Sequence, residues 1–188
     1  MSAQVDRVAQ MMNRTGWIGF WVQVVLGVVS TVILAFSALS VLPGAGRAGG
    51  ASPGAGAGLF FAALALVALY FSIFQTFRLV QQGRRLRAPK NLRPSRSATL
   101  DLLRFNALLS CIGLGIALVG AEAITGNLLS KALVQPNAFN VAAIDPSKFV
   151  QALDIFVVLG NTHTIVAHFA GLLVSLRLID AIARGPQN

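Results

Sequence analysis

The sharpest polar pattern in the sequence is Asp154, Asn161 and His168, spaced by seven residues and continued by Ser175. A heptad step drifts by only about 20° around a helix, so the set spans roughly 40° of one face. Thr164 stands one turn ahead of His168, within reach of a hydrogen bond to it. Carboxylate, amide and imidazole in a row make a possible ion path, and with a second carboxylate they suit a divalent metal such as Fe²⁺ or Mn²⁺, although no dense ligand motif is present. His168 could instead ligate the magnesium of a chlorophyll; the usual fate of a lone buried histidine is a satisfied hydrogen bond. His163 lies nine residues from Asp154, about 180° around a regular helix, so the two histidines form no chelating pair.

A second run, Asn106, Ser110, Gly113, Ala117 and Gly120, recurs at alternating spacings of four and three. Small residues so spaced form a seam that lets helix backbones approach closely. Antiparallel packing of the two runs would bring Ser110 or Gly113 to His168 and turn Glu122 toward Asp154 as an outer-mouth acid. The plainer reading makes Asn161, Thr164 and His168 interhelical hydrogen-bond glue and leaves Asp154 and Glu122 as surface charges. It is preferred, because such bonds are modest and common. Gln23, Gly27 and Ser30 repeat the motif weakly and read as packing. Nothing points to catalysis: Cys111 is a lone thiol in an apolar block, no nucleophile triad has a local signature, and the glycine-rich stretch lacks the Lys-Ser/Thr of a phosphate loop. The expectation is a non-enzymatic protein.

The elements that carry these residues follow from composition. Of 188 residues, 55% are hydrophobic and 11% charged, well outside soluble averages. The apolar residues fall into four long blocks, each sufficient for the ~20 residues of a membrane span. The predicted fold is an all-α integral membrane protein, a single domain with four transmembrane helices and short interfacial helices. Residues 1–16 are expected to lie on the interface, with Val5, Val8, Met11 and Met12 on one face. The first span is 17–42, opened by the interfacial aromatics Trp17 and Trp21 and closed by Pro43 and Gly44. The Gly/Ala/Pro/Ser stretch 43–58 reads as a flexible loop. The second span is 59–77, the basic loop 78–99, and the third span 100–123, with a start capped around Ser97 and Asp101. Residues 125–152 read as an interfacial loop, and 153–183 as the fourth span. Asp145-Pro146 resembles a helix start; a helix from there to 183 would measure roughly 57 Å, so a break near Asp154 or Gly160 is expected. No signal or transit peptide is expected at the N-terminus.

Fifteen Lys and Arg against six acids give a net charge of +9. Their placement excludes nucleic acid as the partner, because Arg84, Arg85, Arg87, Lys90, Arg93 and Arg96 crowd one loop, and no aromatic interleaves the basics from Lys90 to Arg96 to stack on bases. This is a positive-inside loop; it puts both termini on the cytoplasmic side and can hold anionic lipid headgroups or an acidic partner surface. Three spans then read as lipid-facing scaffold, and the fourth carries the polar stripe.

Several segments together resemble a known family. They are Arg14-Thr15-Gly16-Trp17-Ile18-Gly19-Phe20-Trp21-Val22-Gln23, Gly120-Ala121-Glu122-Ala123-Ile124, Leu153-Asp154-Ile155-Phe156-Val157-Val158, and Asn161-Thr162-His163-Thr164-Ile165-Val166-Ala167-His168-Phe169. The likeness is to the cyanobacterial relatives of the chloroplast inner-envelope twenty-one-kilodalton translocon component, also described as a permease in chloroplasts. It covers nearly the whole chain but rests on helix-packing segments. It implies four spans and two roles, iron transport and protein translocation, and a home in the plasma or thylakoid membrane of a cyanobacterium. The resulting expectation is a metal-ion permease-like protein with iron as cargo. The alternative is an accessory subunit of a larger membrane complex, a protein translocon or a photosynthetic complex. A bundle this small encloses little lumen, so permeation favours a homo-oligomer or larger assembly.

Overall fold

A computed structural model describes residues 3–41, 53–134 and 149–184. Long apolar sequences with no internal proline can satisfy their backbone hydrogen bonds in a membrane only as helices or closed barrels. Here they form four helices: α1 (Ala3–Val41), α2 (Pro53–Arg85), α3 (Arg96–Val134) and α4 (Ala152–Ala183). A single 3₁₀ turn, Lys90–Leu92, interrupts the α2–α3 connection. All four helices are long and apolar enough to cross a bilayer, and the described residues contain no strand. The chain is an all-α, multi-pass integral membrane protein. Consecutive helices pack side by side and α4 closes the ring on α1, with α2 and α4 also meeting across the middle.

The helices outrun the apolar blocks. At 1.5 Å per residue α1 and α3 are each about 58 Å long, against a hydrocarbon thickness of ~30 Å. Four sequence expectations change accordingly. From Ala3 on, the expected interfacial helix at 1–16 is the first part of α1, continuous with the span. Its apolar face docks on the other helices instead of lying on lipid: Ala9 and Met12 are fully buried, and Met12 joins Leu79, Leu103, Val174, Leu178 and Ile182 in an apolar cluster. Residues 53–58 of the expected loop are helical, because Gly and Ala serve a tightly packed membrane helix as well as a linker. Gly58 there is pressed against Ile124 of α3. Residues 125–134 of the expected interfacial loop continue α3. The first eight residues of the expected basic loop, 78–85, likewise continue α2.

The caps also differ in detail. Ser95, not Ser97, caps α3, its Oγ accepting the Ala98 N–H at 3.1 Å. Gln151 caps α4 in a reciprocal pair with Asp154, so α4 starts at Ala152 and needs no break: Gly160 lies inside a continuous helix against Ile33 of α1. Asp145, Pro146, Pro43, Gly44 and Arg47 lie outside the described residues.

The basic end is anchored by rings and helix termini. Trp17, Phe20 and Trp21 form a cluster of edge-to-face and stacked contacts, and the Arg84 guanidinium sits 5.8 Å from the Trp17 ring centroid, within cation–π range. Arg96 donates to the Ile182 carbonyl at 2.8 Å, satisfying a free carbonyl at the end of α4. Arg84, Arg85 and Arg87 are exposed.

Candidate functional site

The interior of the bundle is a polar column along its axis. In the half nearer the basic end, Gln23 of α1 is the hub. Its Nε2 donates to Ser72 Oγ at 3.0 Å and to the Ala167 carbonyl at 3.4 Å, while its Oε1 accepts from Thr76 Oγ1 at 2.9 Å. Asn106 of α3 donates to Ser175 Oγ at 2.9 Å and to Thr76 Oγ1 at 3.5 Å, and its Oδ1 accepts from Ser72 at 3.4 Å. The Ser72 and Ser110 hydroxyls share a bond of 3.2 Å. One network thus joins all four helices, and all six side chains are 0% exposed. Such bonds are worth only about 1 kcal/mol each in a membrane, but an unmade one leaves a polar group in hydrocarbon.

Further along the column stand His168, Thr164 and Asn161. His168 is fully buried, with Nε2 3.1 Å from the Ala65 carbonyl of α2. A carbonyl can only accept, so Nε2 carries the proton and Nδ1 of the neutral ring is a bare acceptor. Nδ1 has no partner. Asn161 donates through Nδ2 to the Ala117 carbonyl at 2.9 Å, and its Oδ1 is likewise buried and unpartnered. Ser30 of α1 closes this level with a bond to the Gly160 carbonyl at 2.8 Å. At the far end Asp154 is held by Lys131 of α3, Nζ to carboxylate oxygens at 2.8 and 2.9 Å.

On the α3 seam Gly113 faces the His168 ring, Gly120 faces Asn161 Oδ1, and Ala117 supplies the carbonyl for Asn161. Other side chains take different partners. Thr164 bonds the Gly160 carbonyl at 3.2 Å and not His168, because a helical hydroxyl reaches its own preceding turn first. Glu122 is exposed and Asp154 takes Lys131 as its ion partner. The His168 ring lies against Gly113 and is tied to α2 through the Ala65 carbonyl. Among the described residues no three His, Cys, Asp or Glu side chains converge as a metal site.

The family described as "Protein of unknown function (DUF3611)" matches residues 2–183. The chain belongs to this family. It is 31% identical over 186 residues to Protein TIC 21, chloroplastic, of Arabidopsis thaliana, an alignment that covers 97% of the chain and 60% of that protein. The chain therefore spans about three-fifths of the length of this relative. No solved structure matches it significantly.

In this DUF3611-family chain the sequence reading undervalued α1 and α2. Gln23 was assigned to packing, and Ser72 and Thr76 were not singled out at all, yet they form the centre of the network. The available signal was their i, i+4 spacing on α2, which also places them on the face of buried Ala65, Leu69 and Leu79. Three spans are therefore not plain scaffold. α4 remains the most enclosed helix, with 39% of its most apolar window buried against 28% in each of the others.

Proposed function

We propose that the chain is a non-enzymatic, permease-like protein that moves a metal cation along the axis of its bundle, with iron as the cargo that the family resemblance implies. The observation that carries this reading is the unmet hydrogen-bonding capacity of the column. Asn161 Oδ1 and His168 Nδ1 are buried, unpartnered and both acceptors, and leaving such groups unsatisfied in a packed core costs roughly 1–3 kcal/mol apiece. Asn13 Oδ1 on α1 is buried and unpartnered too, so the reading rests on the alignment of Asn161 and His168 on one face of α4. The conformation is a closed one: the apolar cluster of Met12, Leu79, Leu103, Leu178 and Ile182 seals the basic end. Its opening would need these helix ends to part.

The basic end faces the cytoplasm in this reading, with both termini there, by the positive-inside distribution of Arg84, Arg85, Arg87, Arg93 and Arg96. The membrane is the plasma or thylakoid membrane of a cyanobacterium. The test is uptake of iron by vesicles containing the purified chain. His168→Ala and Asp154→Asn should each cut uptake while the protein still elutes as a folded species; unchanged uptake in both removes the proposal.

A second reading, an accessory subunit of a larger membrane complex, is favoured by the closure of the bundle around Gln23, whose amide on α1 bonds α2 and α4 at once. It predicts stable co-purification with a larger assembly in mild detergent. Migration of the chain alone or as a homo-oligomer would count against it.

A further inference from the structure

The far end of the column holds an ion pair of a different kind from the others among the described residues. Lys131 and Asp154 join two helices and are only 15% and 19% exposed, whereas Arg104–Asp101 and Arg184–Asp180 are local pairs three and four residues apart and are mostly exposed. A pair so shielded from water is screened far less than a surface pair. Asp154 also accepts the Gln151 backbone N–H at 2.9 Å. Beside it lies a cavity of about 70 Å³ lined by Ser37, Leu59, Ile124, Asn127, Leu153 and Asp154, among others. One water needs only about 10–15 Å³ of such space, so an ion with part of its water shell fits. The polar side chains on this lining carry carboxylate, hydroxyl and amide oxygens, the donors that hard cations take. Ser37 spends its proton on the Ile33 carbonyl at 2.9 Å and keeps its lone pairs.

Inward from Asp154 the pattern continues. Asn161 Oδ1 and His168 Nδ1 follow at heptad steps of about 10.5 Å each along one face of α4; neither has a protein hydrogen-bond partner, the first is an amide oxygen, and the second accepts in the tautomer that bonds Ala65 through Nε2. A row of acceptors attracts cations and rejects anions.

We infer that Asp154 is the entry site for a divalent cation and that Lys131 is a tethered occupant, an ammonium that holds the carboxylate until the cation displaces it. This rests on the ion-path reading and gives it a mouth. With Lys131 in place the site carries no net charge, so a divalent ion enters by exchange for one positive charge and not by filling a bare anionic hole. Binding is thereby weak and reversible, as conduction requires.

The experiment uses the full chain in detergent with Mn²⁺ as probe, free Mn²⁺ being read by its paramagnetic resonance signal. Lys131→Met should raise Mn²⁺ affinity about tenfold or more, and adding Asp154→Asn in the same chain should remove the gain. Lys131→Arg, which keeps the charge, should bind like the parent. Lys131→Gln, which can still donate to Asp154, serves if the Met variant does not fold, and it should also bind more tightly. Parent-like affinity in both neutral variants overturns the site. Tight binding with no uptake by vesicles would keep the site and remove the permease reading; uptake that depends on His168 but is indifferent to Lys131 in affinity would do the reverse.

Discussion

The His168 imidazole on α4 rests against the backbone of Gly113 on α3, where a Cβ would overlap the ring. The ring cannot retreat without giving up its bond to the Ala65 carbonyl. Gly113→Ala is therefore expected to lower stability by about 1–3 kcal/mol, the usual range for overpacking, measured as a drop in detergent melting temperature. Gly115→Ala is the control, because nothing lies within 4 Å of a Cβ there; it should be neutral or slightly stabilising.

Removing the Gln23 amide should be felt on three helices at once. Gln23→Leu is close in size but strands Ser72, Thr76 and one bond to the Ala167 carbonyl. The expected loss is about 1–3 kcal/mol, seen in equilibrium unfolding in mixed micelles. A double change with Thr76→Val should cost less than the sum of the two single changes, since both delete the same bond.

Sidedness can be read with thiol labels. Cys111 is exposed on the helix surface and is first replaced by Ser. In that background Ser97→Cys should react with an impermeant maleimide only from the cytoplasmic side, and Ser130→Cys only from the opposite side. The reverse labelling would invert the proposed orientation.

The exposed arginines at the basic end should hold anionic lipid. Charge near such a headgroup layer is worth about 1 kcal/mol per side chain. Changing Arg84, Arg85 and Arg87 together to Gln should reduce the number of phosphatidylglycerol molecules carried through purification, counted by native mass spectrometry, while zwitterionic lipid stays constant.

The four spans could be read from sequence because absence of charge over a membrane thickness has few other causes. Where the helices end could not. Gly58 carries no signal that separates a linker from a close-packed helix, and the difference is made by Ile124, which lies far away in the chain. The α4 stripe and the α3 seam were legible because a period of seven or of four and three already implies a facing helix. Gln23 was not, since a single amide on an otherwise apolar helix acquires its meaning only from Ser72 and Thr76. Lys131 was hidden for the same reason: its distance from Asp154 in sequence gives no hint that α3 runs on far enough to reach it.

The position of Gln23 also bears on how the protein enters the bilayer. Its hydrogen-bonding partners on α2, Ser72 and Thr76, arrive only after α1 has been made, and the Ala167 carbonyl arrives last of all. A lone α1 would expose an unpaired amide to lipid, whereas α1 with α2 satisfies both ends of it at once. The first two helices are thus suited to leave the insertion machinery as a hairpin, with α3 and α4 added to a half that is already closed on itself.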